Sequence, residues 1–162
     1  MAGDGNRAAF AFLGTTTGGD DQTDKFNGVW HLYIATTYDG GQTWTTVDAT
    51  PNDPVQRGCI SLAGTFGGGC SQRNLLDFND ITIDKQGVVE VAFADGCIAS
   101  CVSGSGTSES AKATIARQTS GLGLLSAFDS VVAATTTSTT STSTTTTTTT
   151  APKHHKRGPR KT

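Results

Sequence analysis

The sequence predicts an all-β fold, and three observations lead to this prediction. The 162-residue chain contains 20 Gly, and 12 of its 14 acidic residues are Asp. Asp and Gly favour turns, whereas Glu, Ala and Leu favour helices. Short apolar runs recur between Gly, Asp and Asn, and no segment has a helical period long enough to assign. This pattern is typical of antiparallel strands joined by tight turns.

The predicted strands fall into two series separated by a loop from Pro51 to Gln72. The segments are, in order, Ala8–Leu13, Val29–Thr37 and Trp44–Val47, then Asp80–Asp84, Val88–Ala94, Ala111–Gln118 and Leu122–Phe128. The two series, near residues 4–54 and 74–129, have similar lengths. A repeat of this size with about four strands is typical of a β-propeller blade. Because sandwiches also stack sheets, the strand count alone does not decide between the two architectures.

The segment Val29–Thr37 is predicted to be covered on both sides. Its alternating positions are largely apolar on both faces, with Trp30, Leu32 and Ile34 on one face and Val29, His31, Tyr33 and Ala35 on the other. Such a pattern fits a strand in a sheet that lies between two other sheets. We therefore expect His31 to be a packed strand residue.

The chain divides by composition into a body (1–134), a stalk (135–150) and a tail (151–162). The stalk consists of Thr and Ser only, and it cannot bury enough apolar surface to become ordered. The body has 7 Lys and Arg against 14 Asp and Glu, a net charge of 7 − 14 = −7, and the tail carries +5. An acidic body argues against nucleic-acid binding, which needs clustered cations.

The stalk and the basic tail suggest attachment to a surface. Thr/Ser runs of this kind are commonly O-glycosylated, and a glycosylated stalk would hold the body away from a surface. The tail could then contact an anionic cell wall or membrane. The alternative is a terminus that binds nothing in particular.

The four cysteines suggest disulfides and an oxidising, extracellular setting. Three pairings are possible, and we favour Cys59 with Cys70 and Cys97 with Cys101 because each pair brackets one loop. Free thiols or a zinc site are the alternatives. The body has no Cys-x-x-Cys sequence and His31 as its one histidine, which disfavours zinc.

A turn motif lies between the second and third predicted strands. Residues 37–44 match the Asp-box pattern Ser/Thr-x-Asp-x-Gly-x-Thr-Trp at Thr37, Asp39, Gly41, Thr43 and Trp44. Asp39 can accept backbone N–H bonds across the turn, and Gly41 provides a conformation that a Cβ would oppose. The two threonine hydroxyls can bond the hairpin. We expect Trp44 to place its large apolar ring between packed sheets.

With its flanking strands, this motif resembles the sialidase-like Asp-box β-propeller superfamily. The stretch from Gly28 to Thr36 is similar to the third strand of such a blade, and Asn79 to Val89 resembles the opening two strands of the next blade. The resemblance covers residues 4–129 and implies about two antiparallel propeller blades. It also implies that the Asp-box is structural and lies away from the catalytic face.

The resemblance implies a glycan-directed protein, with exo-α-sialidase activity as the enzymatic possibility. Sialidases use an arginine triad, a Tyr nucleophile with a Glu, and an Asp acid/base. Guanidinium groups suit a carboxylate substrate, and a Tyr nucleophile departs from the usual carboxylate pair of glycosidases. This set is not recognisable here, because the body has four arginines and its Tyr38 lies inside the Asp-box. Arg57 and Arg73, which flank the first cysteine loop, are candidate substrate contacts, and solvated loop arginines are the alternative.

One group of oxygen-bearing residues is a candidate for binding Ca²⁺. Asp77, Asn79 and Asp80 lie close together in the sequence and offer the oxygen ligands that this ion prefers. Capping of a turn and of a strand end is the alternative use. No cofactor is expected.

Two blades are too few to close a propeller, which needs roughly four to eight. No secretory signal is visible before the first strand, and no apolar run is long enough to span a membrane. We therefore expect a C-terminal piece of a secreted propeller that has no sialidase activity by itself. The alternatives are a non-catalytic propeller that acts as a binding or scaffold domain, and a stalked interaction module whose blades pair with another chain.

Overall fold

The computed structural model describes residues 1–61, 70, 75, 79–104 and 111–129. These residues form two antiparallel sheets and two single 3-10 turns, and they contain no α-helix. The strands are β1 (Ala2–Asp4), β2 (Arg7–Thr15), β3 (Val29–Thr37), β4 (Thr45–Asp48), β5 (Gln56–Arg57), β6 (Asp80–Ile83), β7 (Val89–Asp95) and β8 (Lys112–Arg117). The 3-10 turns are Ala99–Cys101 and Ser126–Phe128.

The first sheet has the strand order β1-β2-β3-β4, and β5 pairs with the beginning of β3. Strands β2 and β3 form its centre, with Ala8 opposite Thr37 and Thr15 opposite Trp30. The second sheet has the order β6-β7-β8. Sequence neighbours are thus also spatial neighbours, as in an antiparallel meander.

The core lies between the two sheets. One wall consists of Ala9, Ala11 and Leu32 from β2 and β3, and Val91 and Phe93 of β7 belong to the facing wall. Leu32 and Val91 are fully buried. Alternation turns every second side chain of a strand away from this core, so each sheet has an inner and an outer face.

The strands end at two contrasting ends of the molecule. The turns β1–β2, β3–β4 and β6–β7 share one end, where the Gly40 amide donates to the Asn6 carbonyl (2.8 Å) and Arg7 reaches the Gly123 carbonyl (2.9 Å). The longer connections after β2, β4 and β7 lie at the other end. There the Gly96 amide donates to the Val55 carbonyl (2.8 Å). We call these the turn end and the loop end.

Most predicted strands are present, and one prediction was wrong. Leu122–Phe128 is an irregular segment that finishes in a 3-10 turn. Instead of pairing with a sheet edge, it crosses the turn end, where the Leu124 amide donates to the Gly87 carbonyl (2.8 Å). Gly123 permits this approach, since a Cβ there would lie 3.0 Å from the Gly87 oxygen. The short strands β1 and β5 were not predicted.

The all-β prediction is confirmed, while no closed ring of sheets is present among the described residues. The second sheet covers the inner face of β3, and no sheet of the described residues covers its outer face. The stalk (135–150) and the basic tail (151–162) lie outside the described residues.

Candidate functional site: the intersheet cleft

A cleft runs between the two sheets on the side of β4 and β8. It consists of two cavities, of about 320 Å³ at the loop end and about 600 Å³ toward the turn end. Ala49 and Ala116 line both cavities, so the cavities adjoin at these residues. We call them the loop-end chamber and the turn-end chamber of the intersheet cleft.

Asp95, the last residue of β7, places a buried carboxylate in the loop-end chamber. It is only 8% exposed, and its Oδ1 accepts a hydrogen bond from the Cys97 amide (3.1 Å). Burial raises the pKa of Asp95, the Cys97 amide opposes this shift, and the negative charge of Asp53 adds to it. Lys112, directly opposite on β8, lowers the pKa again. Two carboxylates therefore face one chamber.

The loop that carries Asp53 is held firmly by β3. The Leu32 amide donates to the Thr50 hydroxyl (3.0 Å), and the Val55 amide donates to the Trp30 carbonyl (2.8 Å). Within the loop, the Asp53 amide donates to the Thr50 carbonyl (3.2 Å). A loop fixed in this way can present polar groups at defined positions without a helix or strand of its own.

The turn-end chamber has both apolar and polar walls. Ile34, Val47 and Leu122 contribute to its walls, and Arg117 lies at its β8 side. The Arg117 guanidinium is already bonded to Asp84 (2.7 Å) and Glu90 (3.1 Å), so its charge is paired within the second sheet. A cleft with apolar walls and a few placed polar groups is typical of a small-molecule site.

Arg57 lies at the loop end, but its guanidinium serves the chain itself. Nε donates to the Cys101 carbonyl (2.7 Å), and one terminal nitrogen donates to the Val102 carbonyl (3.3 Å). The side chain therefore braces the second cysteine loop in this structure. Arg73, the other candidate substrate contact, lies outside the described residues.

The structure contains both cysteine pairings that the sequence favours. Cys59 is bonded to Cys70, with 5.9 Å between the Cα atoms, and Cys97 to Cys101, with 5.1 Å. All four cysteines are buried. Both bridges lie near the loop end, where they tie the longer connections to the sheets.

The Asp-box hairpin occupies the turn end, opposite the loop-end chamber. The Asp39 carboxylate accepts hydrogen bonds from the Thr37 hydroxyl (2.8 Å), the Thr43 amide (2.9 Å) and the Thr43 hydroxyl (2.6 Å). The Thr37 hydroxyl in turn accepts the Gly41 amide (2.9 Å). These contacts are internal to the turn and agree with a structural role for the motif.

The structure corrects the expected position of Trp44. Its ring is not buried between sheets: the residue is 44% exposed, and its indole N–H donates to the Gly41 carbonyl (3.2 Å). The side chain folds back over its own turn, where its ring atoms lie beside Gly41.

Two of the three candidate Ca²⁺ ligands lie at the beginning of β6. Asn79 and Asp80 are exposed, and Asp80 Oδ1 accepts the Ile81 amide (2.8 Å), as a strand-end cap does. Asp77 lies outside the described residues. Within the described part of the chain, no group of three or more His, Cys, Asp or Glu side chains is placed to hold a metal ion.

Sequence reasoning missed Asp53 and Asp95, the two acids of the loop-end chamber. One signal was available: Asp95 comes directly after the apolar run of β7 and before a Gly-Cys pair, at a strand end where binding residues often lie. Their proximity was not predictable, because the connection after β4 and the end of β7 meet only when the two sheets pack.

No family model, curated protein or solved structure matches this chain. In the described part of the chain, no helix is both long and apolar enough to cross a membrane.

Proposed function

We propose that this protein is a glycan-binding module made of two neighbouring blades of a sialidase-like Asp-box propeller, with the intersheet cleft as its binding site. The observation that carries the proposal is the position of the Asp53–Asp95 carboxylate pair. It lies in a cleft at the loop end, and the Asp-box turn lies at the opposite end.

The cleft offers the two kinds of contact that a sugar requires. Sugar hydroxyls donate hydrogen bonds, and Asp53 and Asp95 are acceptors in the same chamber. Sugar C–H faces are apolar, and Pro51 and Phe93 line this chamber. Charge-assisted hydrogen bonds to a buried carboxylate are strong and selective.

We favour binding over hydrolysis for this chain alone. The arginines of the described residues are each occupied by internal contacts: Arg7 with Asp129, Arg57 with backbone carbonyls, and Arg117 with Asp84 and Glu90. An arginine triad for a sialic acid carboxylate is therefore not assembled among them. This observation supports a non-catalytic Asp-box module, or blades that contribute one wall of a larger enzyme.

We also propose that the protein acts outside the cell. Its two disulfides are compatible with an oxidising compartment. The Thr/Ser stalk and basic tail would present the body at a distance from an anionic surface. Because screening weakens such contacts, attachment through the tail should be lost by about 0.5 M salt.

The test is glycan binding by Asp95→Asn. The protein is screened on a glycan array, and ligands found there are measured by calorimetry with wild type, Asp95→Asn and the control Asp4→Asn, which changes an exposed acid on β1. We expect Asp95→Asn to weaken binding about tenfold or more, because a charged acceptor becomes neutral. Equal affinity of wild type and Asp95→Asn, or no glycan bound at all, contradicts the proposal. A robust turnover of sialosides by the chain contradicts its non-catalytic part.

The same variant has a predicted effect on stability. Because burial raises the pKa of Asp95, the folded protein binds this proton more tightly than the unfolded chain. The charged form therefore opposes folding at neutral pH, and the opposition disappears as the pH falls below the ordinary range of Asp. Asp95→Asn should raise the melting temperature at pH 7, with a smaller gain at acidic pH. Its amide oxygen can still accept the Cys97 N–H bond.

A further inference from the structure

The outer face of the first sheet carries a row of aromatic rings. Phe10 and Phe12 alternate on β2, and their ring centroids are 5.8 Å apart with planes 21° apart. Tyr33 lies directly opposite Phe12 on β3, and the centroids of these two rings are 5.5 Å apart with planes 21° apart. The His31 ring comes next, with its centroid 6.4 Å from that of Tyr33. We call these four residues the outer aromatic face.

This face lies at the centre of the sheet and not at an edge. β2 and β3 are the two middle strands of β1-β2-β3-β4, yet Phe10 is 43% exposed. Exposed apolar side chains that form a contiguous patch mark interaction sites far more often than single exposed residues do. Strands that are apolar on both faces belong to sheets that are covered on both sides.

We propose that the outer aromatic face binds the same face of a second copy of this chain. In a propeller of the kind proposed above, a further blade would lie here, and a second copy takes that position. The inference does not depend on glycan binding, because none of the four residues lines the intersheet cleft.

The shape and chemistry of the face favour a protein sheet over a small ligand. None of its four residues lines either of the two cavities described above, whereas small-molecule sites are concave. The imidazole ring of His31 already has partners within the chain, since its Nδ1 lies 2.7 Å from the Thr50 carbonyl oxygen and 3.4 Å from an Asp48 carboxylate oxygen. Two sheets, in contrast, pack readily face to face at about 10 Å.

The outer side of the second sheet is a poorer partner for the outer aromatic face than a second copy of that face is. Alternation places Asp80, Glu90 and Arg117 on its outer side, with the exposed Thr82 and a single large apolar side chain, Ile115. Stacking the aromatic rings on that side would remove water from charged groups without giving them new partners, which is costly. A two-fold arrangement joins aromatic to aromatic and closes after two copies.

The size of the face predicts a reversible dimer. β2 and β3 have nine residues each, so each spans about 30 Å. Four strands are together about 19 Å wide, but β1 and β4, with three and four residues, fill only part of that width. Two copies can thus cover at most on the order of 1,000 Å² in total, near the lower limit for specific complexes. Dimer and monomer should therefore exchange as the concentration changes.

The test is the mass of the full chain in solution, measured by analytical ultracentrifugation over a wide range of concentrations. We expect wild type to shift from monomer to dimer as the concentration rises. Phe10→Ser should stay monomeric, and its circular dichroism should show that it is folded. The control Ile115→Ser, which changes an apolar residue that is 70% exposed on β8, should dimerise like wild type. A wild type that is monomeric throughout, or an equal loss of dimer in both variants, overturns the inference.

A measurement on the unmodified protein provides a second test if Phe10→Ser does not fold. Hydroxyl-radical labelling of Phe10 should fall as the concentration rises, because the dimer covers this ring. Labelling of Ile115 should stay constant. Constant labelling at both positions overturns the inference, and so does equal protection of both.

Discussion

Asp39 shows what a single residue contributes to this fold. Three hydrogen bonds from Thr37 and Thr43 converge on its carboxylate. These hydrogen bonds lower the pKa of Asp39 to about 2. The Thr43 hydroxyl has the largest effect, followed by the Thr43 amide and then the Thr37 hydroxyl. Hydrogen bonds to the charged form of a carboxyl group favour ionisation. The turn thus depends on an ionised side chain that its own threonines hold in place.

This pKa gives a prediction with a defined sign. The folded pKa lies below the ordinary value of 3.8, so the folded protein holds this proton less tightly than the unfolded chain. The stabilisation is fully present above the ordinary pKa and is lost as the pH falls toward 2. NMR titration should give a pKa of about 2 in wild type and a higher value in Thr43→Val.

The control for this titration is Thr46→Val, an exposed threonine on β4 that should leave the pKa of Asp39 unchanged. If Thr43→Val also leaves it unchanged, the hydrogen bonds of Thr43 are not the cause of the low pKa.

The Asp-box hairpin shows how an element depends on local backbone geometry. Gly41 has a φ of +89°, and a Cβ there would meet only Trp44 ring atoms, at 3.8 Å and beyond. There is therefore space for a side chain at this position. Glycine is favoured here because the backbone adopts the left-handed conformation, which other residues rarely do. The hairpin is determined by the torsion angles that its sequence allows, because its contacts are almost entirely within the turn.

Gly41→Ala should consequently lower the free energy of unfolding by about 1–2 kcal/mol, the usual penalty for an L-residue in this region. Gly18→Ala is the matched control, since that glycine has no positive φ and an added Cβ would meet nothing within 4 Å. The control should be neutral or stabilise by roughly 0.4–1 kcal/mol. Chemical denaturation measures both, and equal effects of the two substitutions contradict this explanation.

At the scale of the whole molecule, one cluster fastens the two sheets together at the turn end. The Arg7 guanidinium forms a two-pronged pair with Asp129 (2.5 and 2.7 Å) and also bonds the Gly123 carbonyl. The Tyr38 hydroxyl donates to the Leu122 carbonyl (2.7 Å). The guanidinium carbon of Arg7 lies 5.5 Å from the centroid of the Tyr38 ring. The segment after β8 is thereby held across the β1–β2 and Asp-box turns.

Arg7→Ala should therefore release this segment and lower the melting temperature more than Arg117→Ala does. Arg117 also forms two ion pairs, but its partners Asp84 and Glu90 belong to its own sheet region, and its side chain is 54% exposed. Hydrogen exchange should show faster exchange of the Leu124 amide in Arg7→Ala only. Unchanged exchange at Leu124 contradicts the role of Arg7 as a fastener between the sheets.

The sequence by itself determined the local features of this protein. The all-β fold, the bounds of β3 and the Asp-box turn follow from torsional preferences, strand alternation and hydrogen bonds between residues that are close in the chain. Only the tertiary structure decided the features that depend on distant residues. The placement of Asp53 beside Asp95, the use of Arg57 to brace a cysteine loop, the exposure of Trp44 and the course of Leu122–Phe128 all depend on how the two sheets pack. Packing joins groups far apart in the sequence, and no local pattern records which groups will meet.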